Sequence, residues 1–159
     1  MASKDKDDGF KRIATNRRAR FDYELLERFE AGIVLLGPEV KSLRAGKASL
    51  VDAFGMVRKG ELWLMNAHIS PYEQAGRENS EAKRPRKLLM KRVEIGRLGG
   101  KIAEKGLTLV CVSLYWKDGR AKCELALARG KRHHDKRHTI RERDEKREID
   151  RAMKGGRGR

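Results

Sequence analysis

The stretch LTLVCVSLYWKDGRAKCELALARG, residues 107–130, carries the strongest structural signal in the chain. Two apolar runs flank Asp118–Gly119, a residue pair typical of two-residue hairpin turns because both positions tolerate a positive φ. Pairing Lys117 with Arg120 sets the register of the whole hairpin. This register places apolar residues opposite one another on one face, which we expect to be the core: Leu114 with Cys123, Val112 with Leu125, and Val110 with Leu127.

The two cysteines of the chain, Cys111 and Cys123, both lie in this hairpin. Strand side chains alternate between faces, so the same register puts the two thiols on opposite faces and predicts that no disulfide joins them. Their spacing does not match a CxxC motif. Such cysteines are typical of thiols in a reducing compartment.

Three segments before the hairpin have the composition of strands. Apolar and β-branched residues bounded by turn residues predict a long strand at 23–36, bent at Gly32, a hairpin at 54–66 that turns at Lys59–Gly60, and a short strand at 88–90. The polar, basic stretch 73–87 is expected to be a mobile loop.

Two helices are expected between these strands. GPEVKSLRAG, residues 37–46, has Pro38 near a helix start and Gly46 near its end. Residues 93–105 have apolar side chains at helical spacing, and Gly106 is placed to end that helix. About six short strands and two helices favour a mostly antiparallel sheet in a small closed or half-closed barrel.

Charge indicates the class of partner. The chain has 159 residues with a formal net charge of +16 and an isoelectric point near 10.2. Such an excess favours a polyanion, because each neutralised phosphate releases a counterion. The sequence has no run of about 20 apolar residues that could span a bilayer, and its start does not resemble a signal peptide. We therefore expect a cytoplasmic protein that binds a polyanion and does not span a membrane.

The charge is concentrated at the two ends of the chain. Residues 1–20 contain seven basic and three acidic residues, and residues 131–159 contain twelve basic and six acidic residues. Both ends are poor in apolar side chains, so neither can bury enough surface to fold alone. The sequence predicts a basic N-terminal arm at 1–20, a globular body at 21–130 and a basic tail at 131–159 that is disordered when free.

Two basic clusters are candidate phosphate contacts. KRPRKLLMKR, residues 83–92, contains six basic residues in ten, and its candidate contacts are Lys83, Arg84, Arg86 and Lys87. The alternative is a solvated run of charge. NRRAR, residues 16–20, lies beside the aromatic Tyr23 and offers Asn16, Arg17, Arg18 and Arg20. Arginine can hold phosphate with two hydrogen bonds or stack on a base. The alternative here is a flexible basic arm.

Two further features each have two interpretations. Glu30 is an acid within an apolar strand. The usual role of such an acid is a salt bridge. The more specific alternative is that it accepts hydrogen bonds from base amino groups or 2′-hydroxyls of RNA. His133, His134, Asp135 and His138 could suggest a metal or nuclease site. A catalytic site needs a packed shell around its ligands, and this tail has almost no apolar residues to supply one. We therefore predict neither an enzyme nor a cofactor or metal.

Several strings in order resemble one family, the SsrA-binding protein (small protein B) family. These are NRRAR, FEAGIVLLGPEVKSLRAGKASLVDAF, NAHISPYE, RPRKLLMK and SLYWKDGRAKCELALARGKRHHDKR. The similarity extends from about Ile13 to Lys154. Met90 stands where the family often has Leu, and this substitution conserves volume. Ala152 and Met153 stand where the family sometimes has a larger apolar pair.

The resemblance implies a mainly β fold, an oligonucleotide-binding-type closed antiparallel barrel with two or three short helices. It implies that the barrel grips the tRNA-like domain of transfer-messenger RNA, one chain per RNA. Positions matching Asn16, Glu30 and Leu89 are part of that family's RNA-binding surface. Glu30 then becomes an RNA contact, and Leu89 an exposed or half-exposed apolar contact.

The resemblance also gives the tail a role on the ribosome. Asp135, Lys136 and Arg137 align with the family's DKR element. In the family this tail enters the empty mRNA path of a stalled ribosome, becomes helical there and licenses trans-translation. The candidate ribosome contacts in this tail are Lys131, Asp135, Lys136, Arg137, Ile149, Met153 and Lys154.

Two other functions remain open on the sequence. One is a ribosomal or general structured-RNA-binding protein using the same barrel, which would not discriminate between transfer-messenger RNA and rRNA. The other is a ribonuclease using His133 and His134, which would cleave RNA and lose that activity when both are replaced.

Overall fold

The computed structural model describes residues 9–130 and 133–155. Nine strands form in the order β1 Phe10–Thr15, β2 Tyr23–Ile33, β3 Ala48–Ser49, β4 Phe54–Arg58, β5 Glu61–Met65, β6 His68–Ile69, β7 Arg86–Leu89, β8 Thr108–Lys117 and β9 Arg120–Gly130. Four α-helices accompany them: α1 Arg17–Asp22, α2 Gly37–Arg44, α3 Arg92–Lys105 and α4 His133–Gly155. A short 3₁₀ segment spans Glu73–Glu78.

The strands form a mainly antiparallel sheet whose ends meet. The seven-stranded sheet has the order β1-β8-β4-β5-β7-β2-β9, and β8 also pairs with β9. Six strands therefore form a closed ring, in the order β8, β4, β5, β7, β2 and β9. Strand β1 is not part of the ring, and it pairs with β8, which also pairs with β4. A small second sheet pairs β3 with β6. Closure leaves the long strands β2, β8 and β9 with few unpaired backbone groups, which protects them from pairing with other chains.

The β8–β9 hairpin confirms the expected turn but not all of the expected register. Asp118 and Gly119 have φ values of 52° and 76°, and Lys117 pairs with Arg120. A bulge between Cys111 and Ser113 then shifts the register by one residue, so that Cys111 pairs with Leu125. One extra residue sends the preceding side chains to the opposite faces.

The bulge overturns the prediction that the two cysteines lie on opposite faces, but not the prediction that no disulfide joins them. Both thiols lie on the core face and are free, with their Sγ atoms 3.2 Å apart. Burial, followed by the hydrogen bond with Cys111, raises the pKa of Cys123 well above its usual value. Cys123 is therefore held as a protonated thiol in the interior.

Two apolar clusters lie on the two sides of this hairpin. The larger one fills the ring and includes Leu62, Leu88, Leu98, Leu125 and both cysteines. The smaller one lies outside the ring, where Val110, Val112, Ala126 and Ala128 pack under Ala19 of α1. The bulge produces this second cluster, because it turns Val110 and Val112 away from the ring interior. Helix α1 is thereby anchored on the outer wall.

The other predicted elements form with small differences. The β4–β5 hairpin turns at Lys59–Gly60, where both φ values are positive, and Gly106 ends α3 in the left-handed conformation. Strand β2 stops at Ile33, and its irregularity lies between Leu25 and Glu27 instead of at Gly32. The predicted loop 73–87 contains the 3₁₀ segment and the start of β7.

Both charged ends contain regular secondary structure. Residues 10–15, expected in the N-terminal arm, form β1, whose backbone pairs with β8 and whose Ile13 and Ala14 pack against the larger apolar cluster. Residues 133–155 of the tail, which we expect to be disordered when free and helical on the ribosome, form the 23-residue helix α4. Opposite charges at i and i+4, such as Glu142 and Lys146, favour this helix without a core-facing stripe.

No helix in the described part of the chain is both long and apolar enough to cross a membrane. The same residues bring together no group of three or more His, Cys, Asp or Glu side chains suited to a metal ion.

Candidate nucleic-acid interface

The outer wall of the ring brings Leu89 and Lys122 into one row. Gly32 of β2 pairs with Leu89 on one side and with Lys122 on the other. Directly paired residues point to the same face of a sheet, and neighbouring strands are about 4.8 Å apart. Because Gly32 has no side chain, a shallow groove separates Leu89 from Lys122.

The groove combines apolar and basic side chains. Leu89 is 55% exposed, as expected for an apolar contact with a partner. Val40 and Trp116 line the groove, as do the basic side chains of Arg44 and Arg120. Apolar and aromatic surface with basic groups at its margin suits a nucleotide, whose base stacks while its phosphate binds cations.

Glu30 lies two residues before Gly32 on the same face of β2 and belongs to a hydrogen-bonded network. Its Oε2 accepts a hydrogen bond from the hydroxyl of Tyr115 and another from Nζ of Lys117, at 3.4 Å. The hydrogen bond from Tyr115 lowers the pKa of Glu30 and outweighs a smaller opposing effect of desolvation. Glu30 thus forms a salt bridge, which is the more usual of its two expected roles. Its side chain is still 40% exposed.

Tyr115 supports this carboxylate from the neighbouring strand β8. Burial, and then the bond to Glu30, raise the pKa of the Tyr115 hydroxyl well above its usual value. Its ring also packs on Phe10 of β1, with the ring centroids 4.9 Å apart. Tyr115 and Lys117 were not among the predicted site residues. The pairing of Lys117 with Arg120, which puts Tyr115 opposite Lys122, was the signal that could have found them.

Helix α1 presents a second basic surface. Arg17, Arg18 and Arg20 are exposed on it, and Arg18 pairs with Asp22 at 3.2 Å. Asn16 is only 5% exposed and precedes the helix as its N-cap. Its Oδ1 accepts a hydrogen bond from the N–H of Ala19, and its Nδ2 donates to the carbonyl of Cys111 at 3.0 Å. In this structure Asn16 attaches the arginine-bearing helix to the body.

The basic cluster at residues 83–92 contains both buried and exposed side chains. Arg86 is fully buried, and its guanidinium donates to Glu39 and to the carbonyls of Ala67 and Ala82. Arg84 also pairs with Glu39 and is 24% exposed. Arg86 is therefore not available to a phosphate, because its N–H groups donate to acceptors inside the protein.

Lys83 and Lys87 form the exposed part of that segment. Lys87 points to the outer wall two residues before Leu89 and lies 3.4 Å from a carboxylate oxygen of Glu61. An ion pair with both side chains nearly half exposed is weak, so Lys87 can exchange Glu61 for a phosphate. Tyr23 is half-buried against the small outer cluster beneath α1, close to the arginines and away from Leu89.

The tail residues lie on or near α4. Lys131 falls outside the described residues, and Asp135 and Lys136 belong to the helix backbone, as do His133 and His134. Arg137, Ile149, Met153 and Lys154 are exposed. Ile149 and Met153 are one turn apart and so share a face of α4 that is open to a partner.

The comparisons with known proteins agree with one another. A family model described as SmpB protein matches residues 13–155. The chain is 59% identical over 145 residues to an SsrA-binding protein of Desulforudis audaxviator, covering 91% of this chain and 95% of that protein. It is 57% identical over 150 residues to an SsrA-binding protein of Thermobifida fusca, covering 94% of each.

A solved structure is also similar. It is described as "tmRNA-SmpB: a journey to the center of the bacterial ribosome", and its matching chain is 49% identical. The TM-score is 0.65, and the match covers 80% of this chain and 94% of that one.

Proposed function

This chain belongs to the SmpB protein family, and from that membership we propose that it is an SsrA-binding protein. It binds transfer-messenger RNA and acts with that RNA on the ribosome in trans-translation. Its role is binding and delivery of the RNA, without catalysis.

The observation that carries the RNA-binding assignment is the row Leu89–Gly32–Lys122 on the outer wall. A leucine that is 55% exposed has no role in the core. A partner that covers it gains apolar contact, while Lys122 and the network around Glu30 offer polar contacts within two residues. An RNA can supply both kinds of contact, because an unstacked base provides apolar surface and the flanking phosphates provide charge.

We further propose that the strand ring is an oligonucleotide-binding-type barrel and that it grips the tRNA-like domain. Ring closure and the helices at its rim support this assignment. The proposed organisation has an arm at 1–20, an RNA-binding body at 21–130 and a tail at 131–159. The exposed candidate RNA contacts of that body and arm are Arg17, Arg18, Arg20, Glu30, Lys83, Lys87 and Leu89.

The tail is proposed to act on the ribosome, in the empty mRNA channel, through Lys131, Asp135, Lys136, Arg137, Ile149, Met153 and Lys154. The exposure of Ile149 and Met153 supports this proposal, because a helix with an uncovered apolar pair can gain contacts on a partner. Trans-translation places the chain in the cytoplasm, and we propose one chain per RNA.

Equilibrium titration tests the RNA face. The purified chain is titrated with transfer-messenger RNA and, separately, with an rRNA fragment of similar length. We expect tighter binding of transfer-messenger RNA and a loss of about ten-fold or more for Leu89→Asp, because the variant removes apolar contact and adds a charge that repels phosphate. Equal affinity for both RNAs would favour a general structured-RNA-binding protein instead.

Leu26→Asp is the matched control. Leu26 is 45% exposed and lies on β2, six residues from Gly32, or about 20 Å along the strand. It should leave affinity nearly unchanged. If both variants bind as the wild type does, Leu89 is not an RNA contact.

Deletion of residues 131–159 tests the tail. Neither apolar cluster includes a residue of α4, so the body should remain folded. Most of the RNA affinity should remain, whereas peptide tagging on stalled ribosomes should be lost. Lost binding together with intact tagging would contradict the assignment of separate roles.

A further inference from the structure

A second apolar surface lies on the outer wall of the ring, where strands β4, β5 and β7 are neighbours. The two residues that flank Trp63 in β5 are fully buried leucines, so the alternate side chains of Trp63 and Met65 point outward. Trp63 pairs with Met56 of β4 on one side and with Lys87 of β7 on the other. Met56, Trp63, Met65 and Pro85 line an open groove, which we call the Trp63 platform.

The fold leaves the Trp63 platform uncovered. Helix α1 covers the β8–β9 part of the same outer wall, where Ala19 packs on the small apolar cluster. On the platform the side chains of Met56, Trp63 and Met65 are only half-buried, and Pro85 is exposed. Methionines beside an aromatic ring form an adaptable surface, because the thioether side chain is flexible and polarisable. Contiguous apolar surface of this kind, unlike a single exposed side chain, indicates a site of interaction.

The charges around the platform favour a polyanion as the partner. Arg58 and Lys59 lie at the end of the platform formed by the β4–β5 turn. Lys83 and Lys87 are exposed on its β7 side. Among the described residues that line the groove, Glu61 is the only acid, and it is paired with Lys87 at 3.4 Å. Four basic side chains and one paired acid give the margin of the platform a positive potential.

The position of the platform favours RNA over an acidic protein. Lys87 lies two residues before Leu89 on the outer face of β7, so Trp63 and Leu89 are diagonal neighbours on the wall. Such neighbours are about 7 to 8 Å apart. A single-stranded RNA segment held at Leu89 can therefore also reach Trp63. The indole ring offers a face on which any base can stack, and the nearby cations can bind the phosphates of the same segment.

We propose that the Trp63 platform stacks an unpaired base of transfer-messenger RNA, next to the nucleotides bound at Leu89, and that Arg58 and Lys87 bind the flanking phosphates. This site rests on the proposed function, which supplies the RNA. It extends the RNA face from the Leu89 groove across β7 and β5 to β4, and it adds Met56, Trp63 and Arg58 to the residues that contact RNA.

Two substitutions at one position separate stacking from a merely structural role. Trp63→Phe keeps an aromatic face, whereas Trp63→Leu keeps an apolar side chain without a ring. The loss of one base–aromatic stack should weaken binding about five-fold or more. Equilibrium titration with transfer-messenger RNA should show this loss for Trp63→Leu and a clearly smaller one for Trp63→Phe. Urea unfolding of the two variants verifies that both are folded.

The titration has outcomes that distinguish this site from the proposed function. Equal affinities for Trp63→Leu and Trp63→Phe, whether reduced or not, would overturn the stacking assignment. If Leu89→Asp still loses about ten-fold in that case, the proposed function remains intact. Failure of the wild-type chain to bind the RNA would overturn the proposed function as well.

Tryptophan fluorescence provides a readout that a structural role would not change. Trp63 and Trp116 are the two tryptophans of the chain, and a base stacked on an indole ring quenches its emission. The Trp63→Phe variant reports Trp116 alone, so the difference between wild type and variant is the emission of Trp63. Saturating RNA should quench most of that difference. A difference that is the same with and without RNA would show that no base covers Trp63, and would overturn the inference.

The salt dependence of binding tests the phosphate contact of Arg58. Arg58→Gln should reduce the slope of log affinity against log salt concentration by roughly 0.7 to 0.9, because one phosphate contact is lost. Arg97→Gln is the matched control, since Arg97 is exposed on α3 and does not line the platform. It should leave the slope unchanged. Equal slopes for the two variants would show that Arg58 does not bind a phosphate.

Discussion

The guanidinium of Arg86 and the carboxylate of Glu39 form a buried ion pair that joins strand β7 to helix α2, with Arg86 fully buried and the Glu39 side chain 4% exposed. Burial by itself would raise the pKa of Glu39, but hydrogen bonds from Arg84, the Leu36 N–H and Arg86 outweigh it, so the pKa is lowered. Burial also lowers the pKa of Arg86, partly offset by Glu39. An arginine that looked like a phosphate ligand in sequence thus has a structural role.

Replacement of Arg86 should destabilise the fold. Removing one partner of a buried pair costs about 3 kcal/mol or more, so Arg86→Met should lower the free energy of unfolding by that amount in urea titrations. Lys87→Met, one residue away on the exposed face, should change it by about 0.5 kcal/mol or less. An Arg86 variant of wild-type stability that loses RNA affinity would show instead that Arg86 contacts RNA.

Acid should weaken the same interaction. A carboxyl group whose folded pKa is lowered stabilises the fold above its unfolded pKa, and that stabilisation disappears as the pH falls through the lower folded value. The ordinary value is 4.5, so the contribution of Glu39 should be complete at pH 7 and decline below about pH 4.5. Urea midpoints between pH 7 and pH 3 should fall less steeply for Glu39→Gln than for the wild type. Parallel curves would contradict the role of Glu39.

Asn16 should affect RNA binding through the position of α1. Asn16→Ala removes the N-cap, worth about 1 kcal/mol, and leaves the buried carbonyl of Cys111 without its amide donor, at a further cost of about 1 kcal/mol or more. Asn16→Ser keeps a side-chain oxygen that can accept from the Ala19 N–H and should lose less. Thermal unfolding of the two variants measures the difference. Full stability of Asn16→Ala with weakened RNA binding would instead indicate direct contact.

Glu30 should contribute to RNA affinity as a carboxylate. Glu30→Gln should weaken binding of transfer-messenger RNA several-fold, because a charged acceptor is exchanged for a weaker one. Its lowered pKa keeps it ionised at and above pH 5, so its effect should not vary between pH 5 and pH 8. Glu27→Gln is the control, since Glu27 is an exposed β2 carboxylate paired with Lys101 at 2.6 Å. Equal losses for both would show that the effect is not specific to Glu30, since the removal of a negative charge by itself should strengthen binding to RNA.

The core thiols should be protected from reagents. Cys111 and Cys123 are fully buried, and the pKa of Cys123 is raised by burial, so the reactive thiolate is scarce. A chromogenic disulfide reagent should react slowly under native conditions and release about two equivalents on unfolding in urea. Rapid reaction of the native chain would contradict this placement of the hairpin.

Local features of the chain were predictable because their physics involves neighbouring residues. Asp118–Gly119 and Lys59–Gly60 adopt positive φ wherever these short turns occur, and Gly106 ends a helix for the same steric reason. The exposure of Leu89 was expected from family resemblance. Composition, however, did not predict β1, since this strand depends on β8 for its hydrogen bonds and on the distant core for the burial of Ile13 and Ala14.

Amino-acid order thus specified the turns, the approximate bounds of α2 and α3, the basic character and the family of this chain. Three-dimensional packing specified the rest: the bulge before Ser113 that turns Cys111 toward Cys123, the burial of Arg86 by Glu39, and the meeting of Arg143 with Phe21. Each of these depends on a partner far away in the chain. A charged or apolar side chain has the same intrinsic preference in every sequence, and the partner it meets determines whether it is a ligand, a structural ion or part of the core.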